Sequence, residues 1–132
     1  MIIIKESVLK VADNSGGLEA RCIAIPGKGA KKTAHVGDII TVSISAAEPY
    51  HAKAKVKKGD IFRAVIVATK SPVKDQYGNM TSFSQNLVVL LDRKSTYTTI
   101  TPIGTRVLKP ISIQLKQNFI YNPIISIANQ VY

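Results

Sequence analysis

The sequence contains no tryptophan and one cysteine, and aromatic residues fill only 6% of its 132 positions. A lone Cys22 excludes an internal disulfide and any cysteine-based metal cluster, and its strand-like neighbours Arg21, Ile23 and Ile25 point to a buried thiol. Tyr50, Tyr77, Phe83 and Tyr97 share no strand spacing, which argues against a stacking platform for single strands and makes a free-standing single-strand binder the second choice. Acidic residues are also scarce. Eight Asp and Glu face eighteen Lys and Arg, giving a formal net charge of +10 and a pI near 9.9. Such a balance calls for an acidic partner, with nucleic acid the commonest and an anionic membrane the rival. No long apolar run and no amphipathic basic helix is present, so a soluble protein without a membrane partner is expected. The apolar run in Met1 to Glu6 is too short for a secretory signal, and the stretch lacks transit-peptide character, so the protein is expected to work where it is made. There is no nucleophile–base pair, no paired carboxylates and no dinucleotide fingerprint, and His35 and His51 lie far apart without ligands at metal spacing. Neither an enzyme nor a cofactor is expected.

What the chain does contain is centred on Lys53 to Lys70. A basic loop, Lys53-Ala54-Lys55-Val56-Lys57-Lys58-Gly59-Asp60, runs into an apolar stretch from Ile61 to Thr69. Both alternating faces of that stretch are mostly apolar, which a strand satisfies only when covered on both sides. Lys57-Lys58-Gly59-Asp60 reads as a turn, because Gly tolerates positive φ and Asp can bond the local backbone. Its lysines then project from a rim suited to a polyanion.

Elsewhere, Ile2 to Ile4, Val8 to Ala12, Glu19 to Ile25 and Asn86 to Leu91 read as strands. Ile40, Val42 and Ile44 alternate with Thr41, Ser43 and Ser45, the pattern of a strand with one face inward. Asp13-Asn14-Ser15-Gly16-Gly17 is a dense turn signal, best explained by an Asx turn rather than acid–base chemistry, and Val36-Gly37-Asp38 is another turn. Pro26 to Lys32 forms a Gly-rich basic loop without P-loop spacing, suited to non-specific phosphate contact, and Ser71 to Asn79 a hairpin-like excursion. Short strands at this spacing indicate a small barrel or sandwich. The tail changes period. Ile111, Leu115 and Phe119 recur at helical spacing, and Asn122-Pro123 offers an N-cap ahead of Ile124, Ile127, Ala128 and Val131, predicting two short C-terminal helices packed on the barrel. From Arg93 onward there is no acid, while Arg93, Lys94, Arg106, Lys109 and Lys116 remain, so this end should carry a positive field. The whole of 1–132 reads as one domain, with the barrel over about 1–108 and the helical part over about 109–132.

Five blocks resemble one family. Val11-Ala12-Asp13-Asn14-Ser15-Gly16, Val36-Gly37-Asp38-Ile39-Ile40, Lys55 to Asp60, Asn86 to Leu91 and Pro102-Ile103-Gly104-Thr105-Arg106-Val107 are similar, in order and spacing, to bacterial-type large-subunit ribosomal protein number fourteen. The resemblance implies a mainly β fold: a small five-stranded β-barrel with a protruding β-ribbon and a short helical C-terminal part. It implies a structural constituent of the large ribosomal subunit that binds large-subunit rRNA near the subunit interface. Implied neighbours are ribosomal proteins numbers three and nineteen, small-subunit rRNA at a bridge, and a ribosome-silencing factor. Carried over by position, Lys31 and Lys32 match a basic pair and Lys55, Lys57 and Lys58 a basic loop; with Lys28, Lys53, Arg63 and Lys70 they are assigned to rRNA. Thr105 and Arg106, with Lys109, are assigned to the bridge and silencing-factor surface. Three departures stand out: Tyr77 precedes Gly78 where the family has Asp or Asn, Ser95 to Thr101 is longer, and the first C-terminal helix has lost charge. With the heavy use of Ile, and of Asn and Tyr in the tail, they point to a ribosome of the mitochondrial matrix, ahead of bacterial cytoplasm or plastid.

Overall fold

A computed structural model describes residues 3–4, 6–25, 33–47, 56–70, 73–74, 78, 80–81, 85–92, 100–104, 106–112, 115 and 119–128. Its strands are β1 (Ile3–Ile4), β2 (Val8–Val11), β3 (Gly17–Ala24), β4 (Thr33–Ala34), β5 (Ile39–Ala47), β6 (Ile61–Ala68), β7 (Val73–Lys74), β8 (Met80–Thr81) and β9 (Leu87–Leu90). A 3-10 turn, Phe119–Tyr121, leads into a short helix, α1 (Asn122–Ser126).

Five strands close into a barrel in the order β2-β3-β5-β6-β9. β2 and β9 pair in parallel, Lys10 against Leu87 and Val11 against Val88, and the other neighbours are antiparallel. Closure leaves no barrel strand with an unpaired edge. β7 and β8 form a separate antiparallel ribbon, so the mainly β fold with a five-stranded barrel and ribbon is present as expected.

The apolar pattern of β6 explains the layering. Phe62, Ala64 and Ile66 belong to the barrel interior with Leu9, Cys22, Ile40, Val42, Ile44, Val88 and Leu90. Val65 and Val67 belong instead to a second core with Val89, where Ile100, Val107, Ile111, Leu115, Tyr121 and Ile124 cover them. Each large apolar side chain so buried stabilises the fold by about 1.5–3 kcal/mol. The double cover expected for this strand therefore has two sources, the barrel on one side and the tail on the other. Only the start of β6 escapes it, where Ile61 and Arg63 are exposed.

Three turns form by the chemistry their sequences suggest. At Lys57 to Asp60, Gly59 has φ +92° and the Asp60 carboxylate accepts from the Lys57 N–H at 3.0 Å. At 35–38, the Asp38 carboxylate accepts from the His35 N–H at 2.8 Å, and Gly37 has φ +90°. At 13–15, Asp13 Oδ1 accepts from the Ser15 N–H at 3.2 Å, an Asx turn.

The tail departs from expectation. The first predicted helix lies mostly outside the described residues: of it, the Ser112 N–H donates to the Val67 carbonyl of β6 at 2.8 Å, and Leu115 stands in a 3-10 turn, its N–H donating to the Ser112 carbonyl. Ile111 and Leu115 are both buried, as their spacing predicts. Asn122 is not an N-cap. The 3-10 turn runs directly into α1, which leaves Tyr121 in the cap position without a side-chain cap and makes Asn122 helical. Ile127 and Ala128 lie beyond α1, because Ile127 accepts from the Val107 N–H and Ala128 bridges Val107. Val131 and Tyr77 lie outside the described residues. β4 was not anticipated: Thr33–Ala34 is ordered by pairing with β1, a long-range contact that two residues cannot signal.

Candidate nucleic-acid interface

The topology sorts the basic residues by end of the barrel. β2 and β9 run parallel and β6 runs antiparallel to β9, so the start of β6 and the ends of β2 and β9 share one end. Lys57 and Lys58, both exposed, stand just before β6 at that end. Their turn is tied to β5 by Gly59 N–H to Ile44 carbonyl at 2.8 Å and Ile44 N–H to Asp60 carbonyl at 2.9 Å. Arg63 is exposed on the outer face of β6, opposite Thr41 of β5. Lys70 is exposed past the far end of the strand, its backbone N–H bonded to Asn86 Oδ1 at 2.9 Å. The predicted set is thus divided: Lys57 and Lys58 at one end, Lys70 at the other. Lys28, Lys31, Lys32, Lys53, Lys55, Thr105 and His51 lie outside the described residues.

Arg106 joins the Lys57–Lys58 end through the turn that follows β2. The Asn14 N–H donates to the Arg106 carbonyl at 3.2 Å, and the Arg106 N–H donates to Asn14 Oδ1 at 3.1 Å. Asp13 and Val107 form a bridge alongside, and the Leu108 N–H donates to the Ala12 carbonyl at 2.8 Å. Gly104 sits against the same turn so closely that a Cβ there would stand 2.9 Å from Asn14 Oδ1 and 3.0 Å from Asp13 Cβ. Arg106 itself is exposed. Lys109 is partly buried, and its amine donates to Gln85 Oε1 at 3.1 Å.

Beside this turn runs a groove of about 880 Å³, with Lys10, Asn14, Gln85, Gly104, Leu108 and Lys109 among its lining residues. Lys10 forms an ion pair with Glu19 across the β2–β3 pair, both side chains being substantially exposed. Water screens such a pair, and it contributes little to stability.

Beneath the turn lies Asp13, buried to 5% exposure. Burial raises its carboxyl pKa, against the Ser15 hydroxyl at 2.6 Å and the Ser15 and Leu90 N–H groups, which favour the charged form. Asp13 is therefore a structural acceptor that joins the turn to β9. Cys22 is buried, and burial raises its thiol pKa, as suits a core thiol rather than a nucleophile. His35 is exposed in its turn. Among the described residues, no group of three or more His, Cys, Asp or Glu could hold a metal ion.

The sequence reading missed Asn14 as a partner of Arg106. An Asx-turn motif advertises local bonds, whereas this contact spans 92 residues. The shared end of the barrel likewise follows only from strand pairing. A family model described as ribosomal protein L14p/L23e matches residues 2–132 of the chain.

Proposed function

The chain belongs to the ribosomal protein L14p/L23e family, which makes it a structural, rRNA-binding component of the large ribosomal subunit, and from this we propose how its basic residues divide the work. Lys57, Lys58, Arg63 and Lys70, with Lys28, Lys31, Lys32, Lys53 and Lys55, contact phosphates of large-subunit rRNA. Thr105 and Arg106 face the small subunit and form the bridge and silencing-factor surface. Lys109, whose amine is engaged by Gln85, adds charge beside them. Ribosomal proteins numbers three and nineteen are the proposed neighbours. Residue usage and the altered tail favour a mitochondrial ribosome.

The observation that carries this reading is the position of Lys57, Lys58 and Arg106 at one end of a closed barrel, on segments whose backbones are hydrogen-bonded to the strands. Each cation placed on a phosphate releases condensed counterions, which supplies affinity without base specificity. Specificity then comes from the fit of a rigid basic rim to folded RNA, whose wide minor groove displays backbone and 2′-hydroxyls.

Sedimentation of lysate from the native source, with mass spectrometry of the fractions before and after a high-salt wash, tests the assignment. Co-migration with the large subunit through the wash is expected, and the companion proteins will identify the compartment. A chain that stays at the top of the gradient, or leaves in modest salt, would instead be a free nucleic-acid binder.

A further inference from the structure

We infer that Asn14 is a positioning residue for Arg106: it holds the Arg106 backbone from two sides and so fixes where the guanidinium is presented at the end of the barrel. The inference rests on the reading that Arg106 meets the small subunit. Its basis is the concentration of restraints on one short segment. Asn14 engages both backbone polar groups of Arg106, its N–H meeting the carbonyl and its Oδ1 meeting the N–H. On one side of Arg106, Gly104 packs against Asn14 and Asp13 with no room for a Cβ. On the other, the Val107 N–H donates to the Ile127 carbonyl at 3.1 Å and the Leu108 N–H to the Ala12 carbonyl. Asn14 is in turn held by its neighbour, since Asp13 is buried and accepts from the Leu90 N–H of β9 at 3.2 Å.

An exposed arginine on a loose segment would lose backbone and side-chain freedom on docking. Here the backbone share is removed before the partner arrives, which leaves only the side chain to order. Asparagine suits the position because one short side chain supplies an acceptor while its own N–H bonds the same residue. The three-atom reach of Oδ1 also explains Gly104: any larger side chain there occupies the space of the acceptor.

The test uses large subunits carrying variant protein and follows their association with native small subunits as a function of Mg²⁺, by light scattering and sedimentation. Incorporation into the large subunit is measured alongside. Arg106→Ala is expected to weaken association, and Asn14→Ala to weaken it about tenfold with normal incorporation, within the range of coupling seen for contacting residues. Asn14→Asp, which keeps the acceptor oxygen, should restore most of the loss. In the Arg106→Ala background Asn14→Ala should have no further effect, whereas a general structural role would add its own defect. Gly104→Ala, which crowds Oδ1 without removing a donor or acceptor, should reproduce the pattern. If Arg106→Ala associates normally, the reading of Arg106 fails. If Arg106→Ala is weak while Asn14→Ala is normal, or if the two defects add, the positioning role fails and that reading stands. If neither Asn14→Ala nor Gly104→Ala enters the subunit, the contact is a folding element and the inference is overturned.

Discussion

The Tyr121 hydroxyl donates a hydrogen bond to the Gly37 carbonyl, fastening the tail to the turn before β5 across 84 residues of sequence. The same turn is bound to β6, because the Gly37 N–H donates to the Ile66 carbonyl and the Ile66 N–H to the Asp38 carbonyl. Tyr121 thus completes a chain of contacts from the tail through the turn into the barrel wall.

Tyr121→Phe should lower unfolding free energy by about 1 kcal/mol, the usual net worth of one hydrogen bond, with no change of fold. Burial first, and then the charge of Asp38, raise the phenol pKa above its ordinary 10.0. The neutral phenol is therefore the form the fold favours. Its contribution is fully present below pH 10 and is lost as pH rises through the folded-state pKa. Denaturant titrations across that alkaline range should show a fall in native stability that Tyr121→Phe lacks; equal slopes in the two proteins would mean that folding does not raise the phenol pKa.

Asp13 gives the opposite of the usual carboxylate behaviour. Burial raises its pKa above 3.8, so the folded state holds its proton more tightly than the unfolded chain does. Its contribution is fully present below pH 3.8 and is lost as pH rises through the raised value. Asp13→Asn abolishes that titration but turns an amide N–H₂ toward the donors at Ser15 or Leu90, at a cost of about 1–3 kcal/mol. The stability advantage of the native protein over the variant should shrink as pH rises through the window. Urea midpoints at several pH values will read this directly, and an advantage that grows with pH would refute it.

Lys57 and Lys58 are expected to act through charge alone. Replacing both with Ala should leave the melting temperature within about 4 °C, because exposed substitutions usually change stability by under ~0.5 kcal/mol each. The slope of log K against log salt for binding large-subunit rRNA should fall by about one unit per lysine that sits on a phosphate. An unchanged slope in filter-binding or fluorescence titrations would remove these lysines from the RNA surface.

The parts of this fold that were legible in the sequence are those governed by local rules. β5 announced itself through Ile40, Val42 and Ile44, and β6 through an apolar run that needed cover on both faces. The turns at Asp13, Asp38 and Asp60 followed from a carboxylate close to the N–H it accepts. Barrel closure and the strand count came from family resemblance, since no periodicity says that β2 meets β9. The spacing of Ile111 and Leu115 correctly marked two buried side chains, but not that the Ser112 N–H between them bonds to the neighbouring strand β6. Of the candidate site, the exposed lysines were readable from charge and turn chemistry. The role of Asn14 was not, because its partner arrives from the other end of the chain.

The pairing of β2 with β9 also has a consequence in time. During synthesis, residues 8–11 must wait for residues 87–90 before the cylinder can be sealed, and until then the first strand keeps an open flank. Such non-local pairing is slow to find and leaves intermediates vulnerable to wrong partners. Arg106 emerges later still, and the turn that receives it is itself anchored to β9 through Asp13. A half-made chain therefore has no seat for Arg106, and this end of the barrel takes its shape only on a finished one.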